Sequence, residues 1–236
     1  MGKTTIAIIQ ARIGSSRLPG KMFKKLGRYY LIEWVIMRLK KSKKINKIIL
    51  ATTTNKEDKK FVNICQKFNI TFFSGSENDV LGRFYNSVKK IKNANIVRVC
   101  ADNPFIDPTE VDNLISFFNK NNYDYACNHQ NKLKSGYADG FGAEILSSNL
   151  LNKLNQIVKE KNLREHVTQY IWKKKNNFKI HSLKPCKDLS YPNLKFDVDT
   201  INDLKYLSRL VKNKVNINTT AKKIIKIALK DIKNNN

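Results

Sequence analysis

The chain has 236 residues, 41 % of them hydrophobic, which suits one α/β domain with a substantial core and argues against wholesale disorder. No apolar run approaches the roughly 20 residues that span a bilayer, so no membrane span is expected. The formal net charge is +26, yet the excess is lysine scattered among asparagines while arginine is sparse, which disfavours a nucleic-acid reader and favours a general attraction for small anions.

Thr5–Gln10 reads as a buried strand, and nothing in the first ten residues resembles a signal peptide. A polar, glycine-containing stretch, 11–21, follows. Residues 30–41 place Leu31, Trp34, Val35, Met37 and Leu39 at helical spacing. Residues 47–52 form a second strand, 58–68 a helix, 70–73 a strand, 79–90 a helix and 96–100 a buried strand. This alternation predicts a single Rossmann-like α/β domain with a mostly parallel sheet, helices on both faces and right-handed crossovers. In such sheets ligands bind beyond the carboxyl ends of the strands. Further on, 108–119 reads as a helix, 123–127 as a strand, 135–142 as a glycine-rich loop, 150–161 and 165–174 as helices, and 178–183 as a strand. Residues 195–197 read as a short strand leading into a helix over 201–211. We assign 1–134 to a nucleotide-binding half, 135–218 to an acceptor-side half and 219–236 to a helical tail, its last residues, 234–236, expected to fray. Cys65, Cys100, Cys127 and Cys186 form no CxxC pair and read as reduced structural thiols, in keeping with a cytoplasmic location. His129 and His181 have no supporting motif and read as structural.

The densest chemistry follows the first strand, in Ala11-Arg12-Ile13-Gly14-Ser15-Ser16-Arg17-Leu18-Pro19-Gly20-Lys21. Gly14 and Gly20 let the backbone approach a ligand and turn N–H groups towards phosphate oxygens. Ser15 and Ser16 add hydroxyls, and Arg12, Arg17 and Lys21 bring three cations, enough to hold a triphosphate and its developing pyrophosphate charge. The loop is not a Walker loop, because five residues separate its glycines and Met22 follows Lys21. Gly2-Lys3-Thr4 mimics a Walker ending without the strand and glycine that should precede it. Asp102 and Asp199 each follow a strand, where one or two carboxylates can hold a hard divalent ion against phosphate oxygens. Both also fit helix-capping or turn roles, Asp199 sharing its helix start with Thr200 and Asp203. Asp79 fits the N-cap of the helix after it equally well.

The segment from Gln10 to Lys21 resembles the signature loop of the nucleotide-sugar cytidylyltransferases, the group of the CMP-sialate and CMP-Kdo synthetases. The nearest likeness is to the branch of SpsF-type spore-coat polysaccharide cytidylyltransferases. It extends through Ala51-Thr52-Thr53-Thr54-Asn55, Gly75-Ser76-Glu77-Asn78-Asp79-Val80-Leu81, Arg164-Glu165-His166-Val167-Thr168 and Asp197-Val198-Asp199-Thr200. The resemblance implies CTP as a substrate and Mg²⁺ on Asp102 and Asp199, and of the pair Asp197 and Asp199 it points to the second as the ligand. It implies a base and ribose site near Ala11, Thr52, Thr53, Gly75, Ser76 and Asp79. On the acceptor side it implies Arg164, Glu165 and His166, together with Asp139 and Glu144 of Asp139-Gly140-Phe141-Gly142-Ala143-Glu144, where Gly142 replaces the family's second aspartate. His166 also fits a satisfied structural histidine. Members of the group often form dimers, so a homodimer is expected.

The implied reaction moves CMP from CTP to a small acidic or phosphorylated acceptor for surface polysaccharide synthesis, releasing pyrophosphate. Legionaminate-like, pseudaminate-like or Kdo-like acids and small phosphates all fit the acceptor. Two alternatives stay open: a sugar transferase using Asp197 and Asp199 as a DxD pair, and a basic nucleic-acid-binding protein.

Overall fold

The computed structural model describes residues 3–128 and 135–235; His129 and Gly2, the first residue of Gly2-Lys3-Thr4, lie outside them. Strand β1 (Thr5–Gln10) is buried along nearly its whole length. Ile6 and Ile8 face one core cluster while Ala7 and Ile9 face another. Apolar side chains on both faces are what a strand covered by two helix layers requires. β1 is an interior strand, between β4 and β6, of a seven-stranded sheet of order β5-β4-β1-β6-β8-β7-β9, comprising β4 (Lys47–Thr53), β5 (Thr71–Gly75), β6 (Asn95–Cys100), β7 (Tyr125–Cys127), β8 (Glu144–Ser147) and β9 (Ile180–Ser182). β1 runs parallel to β4 and β6, and β4 to β5. β8 is antiparallel to both β6 and β7. The mostly parallel sheet expected from the helix–strand alternation is therefore present.

On one face, α1 (Leu31–Leu39), α2 (Lys60–Phe68) and α4 (Pro108–Lys120) bury Val35, Ile36, Phe61, Leu114 and Ile115 against Ala7, Leu50 and Val97. On the other, α3 (Val80–Val88), α5 (Ser148–Ile157), α6 (Lys161–Arg164) and α7 (Gln169–Lys173) bury Phe84, Leu151, Leu163 and Ile171 against Ile8, Ile49 and Ile96. Each such side chain contributes roughly 1.5–3 kcal/mol on removal from water. A third cluster joins α8 (Ile201–Lys212) and α9 (Ala221–Asn235) to Leu18, Trp34, Phe105 and Phe196. A short hairpin, β2 (Lys25–Leu26) with β3 (Tyr29–Tyr30), leads into α1. Among the described residues no helix is long and apolar enough to cross a membrane.

Three local expectations change, and one strand, β8, is not among those expected. The strand expected at 195–197 is a single parallel bridge between Asp139 and Lys195. The helix expected over 150–161 ends at Ile157, and α6 forms separately after it. The helix expected over 165–174 begins only at Gln169. β8 occupies four residues just beyond the glycine-rich loop, and its pairing with β6 comes from tertiary register.

These connections place the site. From β1 the chain goes first to β4 and β5 on one side and later to β6 on the other. A crevice opens between such divergent connections at the strands' carboxyl ends.

Candidate functional site

The loop after β1 is a folded turn. Gly20, at φ +65°, opens a 3₁₀ turn over Lys21–Phe23, a left-handed conformation that favours glycine. Its N–H donates to the Ile13 carbonyl at 3.3 Å, and Lys21 N–H donates to the Leu18 carbonyl at 3.1 Å. Ser15 Oγ accepts from Leu18 N–H at 3.3 Å. The turn aims Lys21 inward, leaving its side chain only 11 % exposed. Its ammonium donates to the Val198 carbonyl at 2.9 Å, Asp102 Oδ2 at 3.2 Å and Asp199 Oδ1 at 3.3 Å. Arg17 forks onto Asp199, both contacts at 2.9 Å.

Asp102 and Asp199 converge because the Val198 N–H donates to the Asp102 carbonyl at 2.8 Å. The capping role open to Asp199 is filled by Thr200 and Asp203, which form a capping box on α8. Burial pushes the Asp199 carboxyl up, but Lys21, Arg17 and Lys195 outweigh it and hold the group below the usual carboxylate range. Two aspartates that reach one ammonium are a hard-oxygen donor set facing one point, which fits a divalent cation. Among the described residues no group of three or more His, Cys, Asp or Glu could hold a metal ion, so the other ligands would have to be phosphate oxygens and water. Asp197 stands apart: Lys195 reaches it at 3.2 Å, its Oδ1 is buried without a hydrogen bond, and burial followed by Asp139 pushes its carboxyl up to about 6.

On the β4–β5 side the hydroxyls expected to meet a base have other partners. Thr52 Oγ1 and Thr53 Oγ1 both donate to buried Asp58, at 2.7 and 2.6 Å. Asp58 also accepts from Ile13 N–H at 2.8 Å and so ties the loop after β1 to β4. Gly75 pairs with Thr53, and Ser76 Oγ accepts from Asp79 N–H at 3.0 Å. Asp79 caps α3 through Gly82 N–H at 2.8 Å and pairs with Arg164. Its carboxylate is thus engaged within the protein, which favours the capping role over contact with a nucleotide. Glu77 links Arg12 at 3.2 Å to Asn55 at 2.8 Å.

The acceptor side is rearranged most. Arg164 commits all five N–H donors: to both Asp79 oxygens, to the Asn155 and Val158 carbonyls, and to Asn155 Oδ1. It braces α6 against α3 and has no donor left for a ligand. Glu165 is exposed just after α6 and is not one of the residues that line the cavity described below. Glu144 is buried on β8, accepting from Arg98 at 2.8 Å and from Thr168 Oγ1 at 2.8 Å. Asp139 is half-buried and pairs its backbone with the 194–196 segment. A side chain at Gly142 would collide with Asn128, whose Oδ1 accepts from Ala143 N–H, so the missing aspartate has no room here. His181 packs against both Phe117 and Tyr123, which also stack on each other, a packing role.

A cavity of about 270 Å³ lies over the loop, lined by Ala11, Arg12, Gly14, Ser15, Ser16, Arg17, Lys21, Asp102 and exposed His166. Gln10, Arg83 and Arg98 also line it. Arg83 donates to the Ser76 carbonyl at 2.6 Å and leaves its buried Nε unpartnered. The sequence reading gave no role to Arg98 or Asp58. A charge inside the apolar run Ile96-Val97-Arg98-Val99 is a visible signal for the first; nothing in Asn55-Lys56-Glu57-Asp58 marks the second.

A family model described as cytidylyltransferase matches residues 6–231. An uncharacterized protein of Methanocaldococcus jannaschii is 40 % identical over 220 residues, covering 93 % of this chain and 88 % of that protein. The spore coat polysaccharide biosynthesis protein SpsF of Bacillus subtilis is 31 % identical over 210 residues, covering 86 % and 84 %. A solved cytidylyltransferase structure from Leptospira borgpetersenii superposes with a TM-score of 0.90 at 27 % identity, covering 98 % and 96 % of the two chains.

Proposed function

The chain belongs to the cytidylyltransferase family, and we propose that it transfers CMP from CTP to a small acidic or phosphorylated acceptor in the cytoplasm, for surface polysaccharide synthesis. The observation that carries this reading is the Lys21 ammonium held between Asp102 and Asp199, with Arg17 forked onto Asp199, at the switch point of the sheet. The likeness to SpsF, named for polysaccharide biosynthesis, supports the pathway class.

In this reading an acceptor oxygen attacks the α-phosphorus of CTP in line, the bond to the β-phosphate bridge breaks, and pyrophosphate leaves. Arg12 and Arg17 bind the leaving group, Lys21 adds its charge from the aspartate pair with its three N–H donors on Val198, Asp102 and Asp199, and the Gly14–Ser16 backbone and hydroxyls orient the pyrophosphate. Asp102 and Asp199 would hold Mg²⁺, which supplies charge neutralisation at the phosphates. An acceptor oxygen that is already acidic needs no strong base. With the Thr52 and Thr53 hydroxyls engaged by Asp58, choice of cytosine falls to backbone groups along the β4–β5 edge. The test is an acceptor panel of sugar acids and phosphorylated polyols with CTP and Mg²⁺, scored by pyrophosphate release. Acceptor-dependent release from CTP is expected; its absence across both classes would oppose the proposal.

A further inference from the structure

We propose that Arg98 binds the anionic group, carboxylate or phosphate, of the acceptor, and that Glu144 is the positioning residue that fixes its guanidinium. The proposal rests on the cytidylyl-transfer reading and gives that site its acceptor contact.

Location comes first. Arg98 lies on β6, across β1 from the β4–β5 edge, on the side where Asp102 ends its strand. Its side chain is 12 % exposed and borders the cavity beside His166. A charge in this position, between Val97 and Val99 in sequence and beside a helix layer, is costly to bury and needs compensation. Glu144 supplies it, directly across the β6–β8 pair, at 2.8 Å. The other Glu144 oxygen accepts from Thr168, two residues beyond His166. One buried carboxylate therefore holds both the guanidinium and the segment that carries the cavity's histidine.

Donor accounting gives the function. Of five guanidinium N–H groups, Nε and one on Nη2 share Gln10 Oε1 at 3.3 and 3.2 Å, and one on Nη1 meets Glu144. One N–H on each terminal nitrogen has no acceptor among the described residues. The other cations nearby are engaged differently. Arg164 has no donor left, Arg17 and Lys21 lie on the two aspartates, and Arg12 lies on Glu77. Arg83 keeps unpartnered N–H groups, but it is tied to the Ser76 carbonyl just after β5, on the side given to the nucleotide. A planar donor with two free N–H groups at a cavity wall suits an oxyanion better than a hydroxyl.

The test uses the full chain saturated with Mg²⁺ and a CTP analogue whose α,β bridge resists cleavage. Kdo serves as the carboxylate probe, glycerol 3-phosphate as the phosphate probe and glycerol as the uncharged control, each titrated calorimetrically. At least one anion, and not glycerol, is expected to bind the wild type; which one distinguishes the two acceptor classes. Arg98→Gln should weaken that anion by about 10- to 100-fold while leaving analogue affinity within about twofold. Because the single change takes the Arg98 cation away from buried Glu144, the pair Arg98→Gln with Glu144→Gln is measured beside it, expected to restore thermal stability without restoring anion binding. Arg98→Lys, which keeps the charge but not the fork, should also bind the anion more weakly than wild type and is read alone if the double variant does not fold. Wild-type anion affinity in the double or the lysine variant overturns the proposal, as does the lack of binding of either anion to analogue-loaded wild type. Failure of the analogue to bind wild type removes the cytidylyl-transfer reading, and this inference with it.

Discussion

Lys21 shows how much one side chain can organise. Its ammonium joins a loop after the first strand to carboxylates from two distant segments, so its removal should disturb geometry as well as charge. Arg17 is a cleaner probe, because its side chain is 65 % exposed and leaves the core untouched. Arg17→Ala is expected to lower kcat/KM for CTP by at least ~100-fold, about 2.7 kcal/mol of transition-state stabilisation, with an unchanged melting curve. Steady-state kinetics beside circular dichroism checks both halves of that statement. Thr53 carries a different expectation. Removing its hydroxyl takes a donor from buried Asp58, so Thr53→Val should cost about 1–3 kcal/mol of stability and leave the CTP to UTP preference unchanged. A variant that keeps its stability but loses that preference would return the hydroxyl to the base. Residue type and position after a strand suffice to nominate the loop after β1 and both strand-end aspartates, and the fold brings Lys21, Asp102 and Asp199 together. The sequence did not reveal the partners of Thr52, Thr53 and Arg164, because Asp58 and Asp79 meet them only through the fold.

At the scale of elements, local pattern succeeded where periodicity was long and failed where pairing decided. β1 and β6 announce themselves as apolar runs between polar loops. β8 has four residues, and only its place between β6 and β7 makes it a strand. The tail alternates isoleucine and lysine, and Ala221, Ile224, Ile225 and Ala228 fall on one face of α9 against α8. Arg38 anchors the approach to that helix. It is 1 % exposed, donates to the Ile106, Ile217 and Thr219 carbonyls, and lies 3.7 Å from Asp107. Burial pushes its guanidinium down to about 10, partly offset by Asp107. Removing one member of such a buried set typically costs about 3–5 kcal/mol. Arg38→Ala should therefore lower global stability by that order and speed amide exchange in α9 before α3, as hydrogen-exchange mass spectrometry would show. Equal protection of both helices would mean that the tail is held by its apolar face alone.

Across the whole molecule, the charge of +26 contrasts with a site whose cations are mostly countered by acids. The field attracts anions, while the fold decides which of them stays. The thiols report the integrity of that fold. Cys186 is exposed, whereas burial pushes Cys65 up to about 11 and Cys100 up to about 12, and Cys127 is buried in the second cluster. A thiol reagent at pH 8 should modify Cys186 quickly, half-buried Cys100 at the cavity wall slowly because little of it is thiolate, and Cys65 and Cys127 only after unfolding. Labelling of Cys65 or Cys127 in the native protein as fast as that of Cys186 would contradict this. The decisive measurement is pyrophosphate release with Mg²⁺ and a working acceptor, taken for CTP, UTP, ATP and GTP in the wild type and in Asp102→Asn and Asp199→Asn. The account predicts CTP above UTP, both above the purines, and loss of Mg²⁺-dependent turnover in either variant. A purine preference, or near-normal turnover in either variant at limiting Mg²⁺, would contradict it.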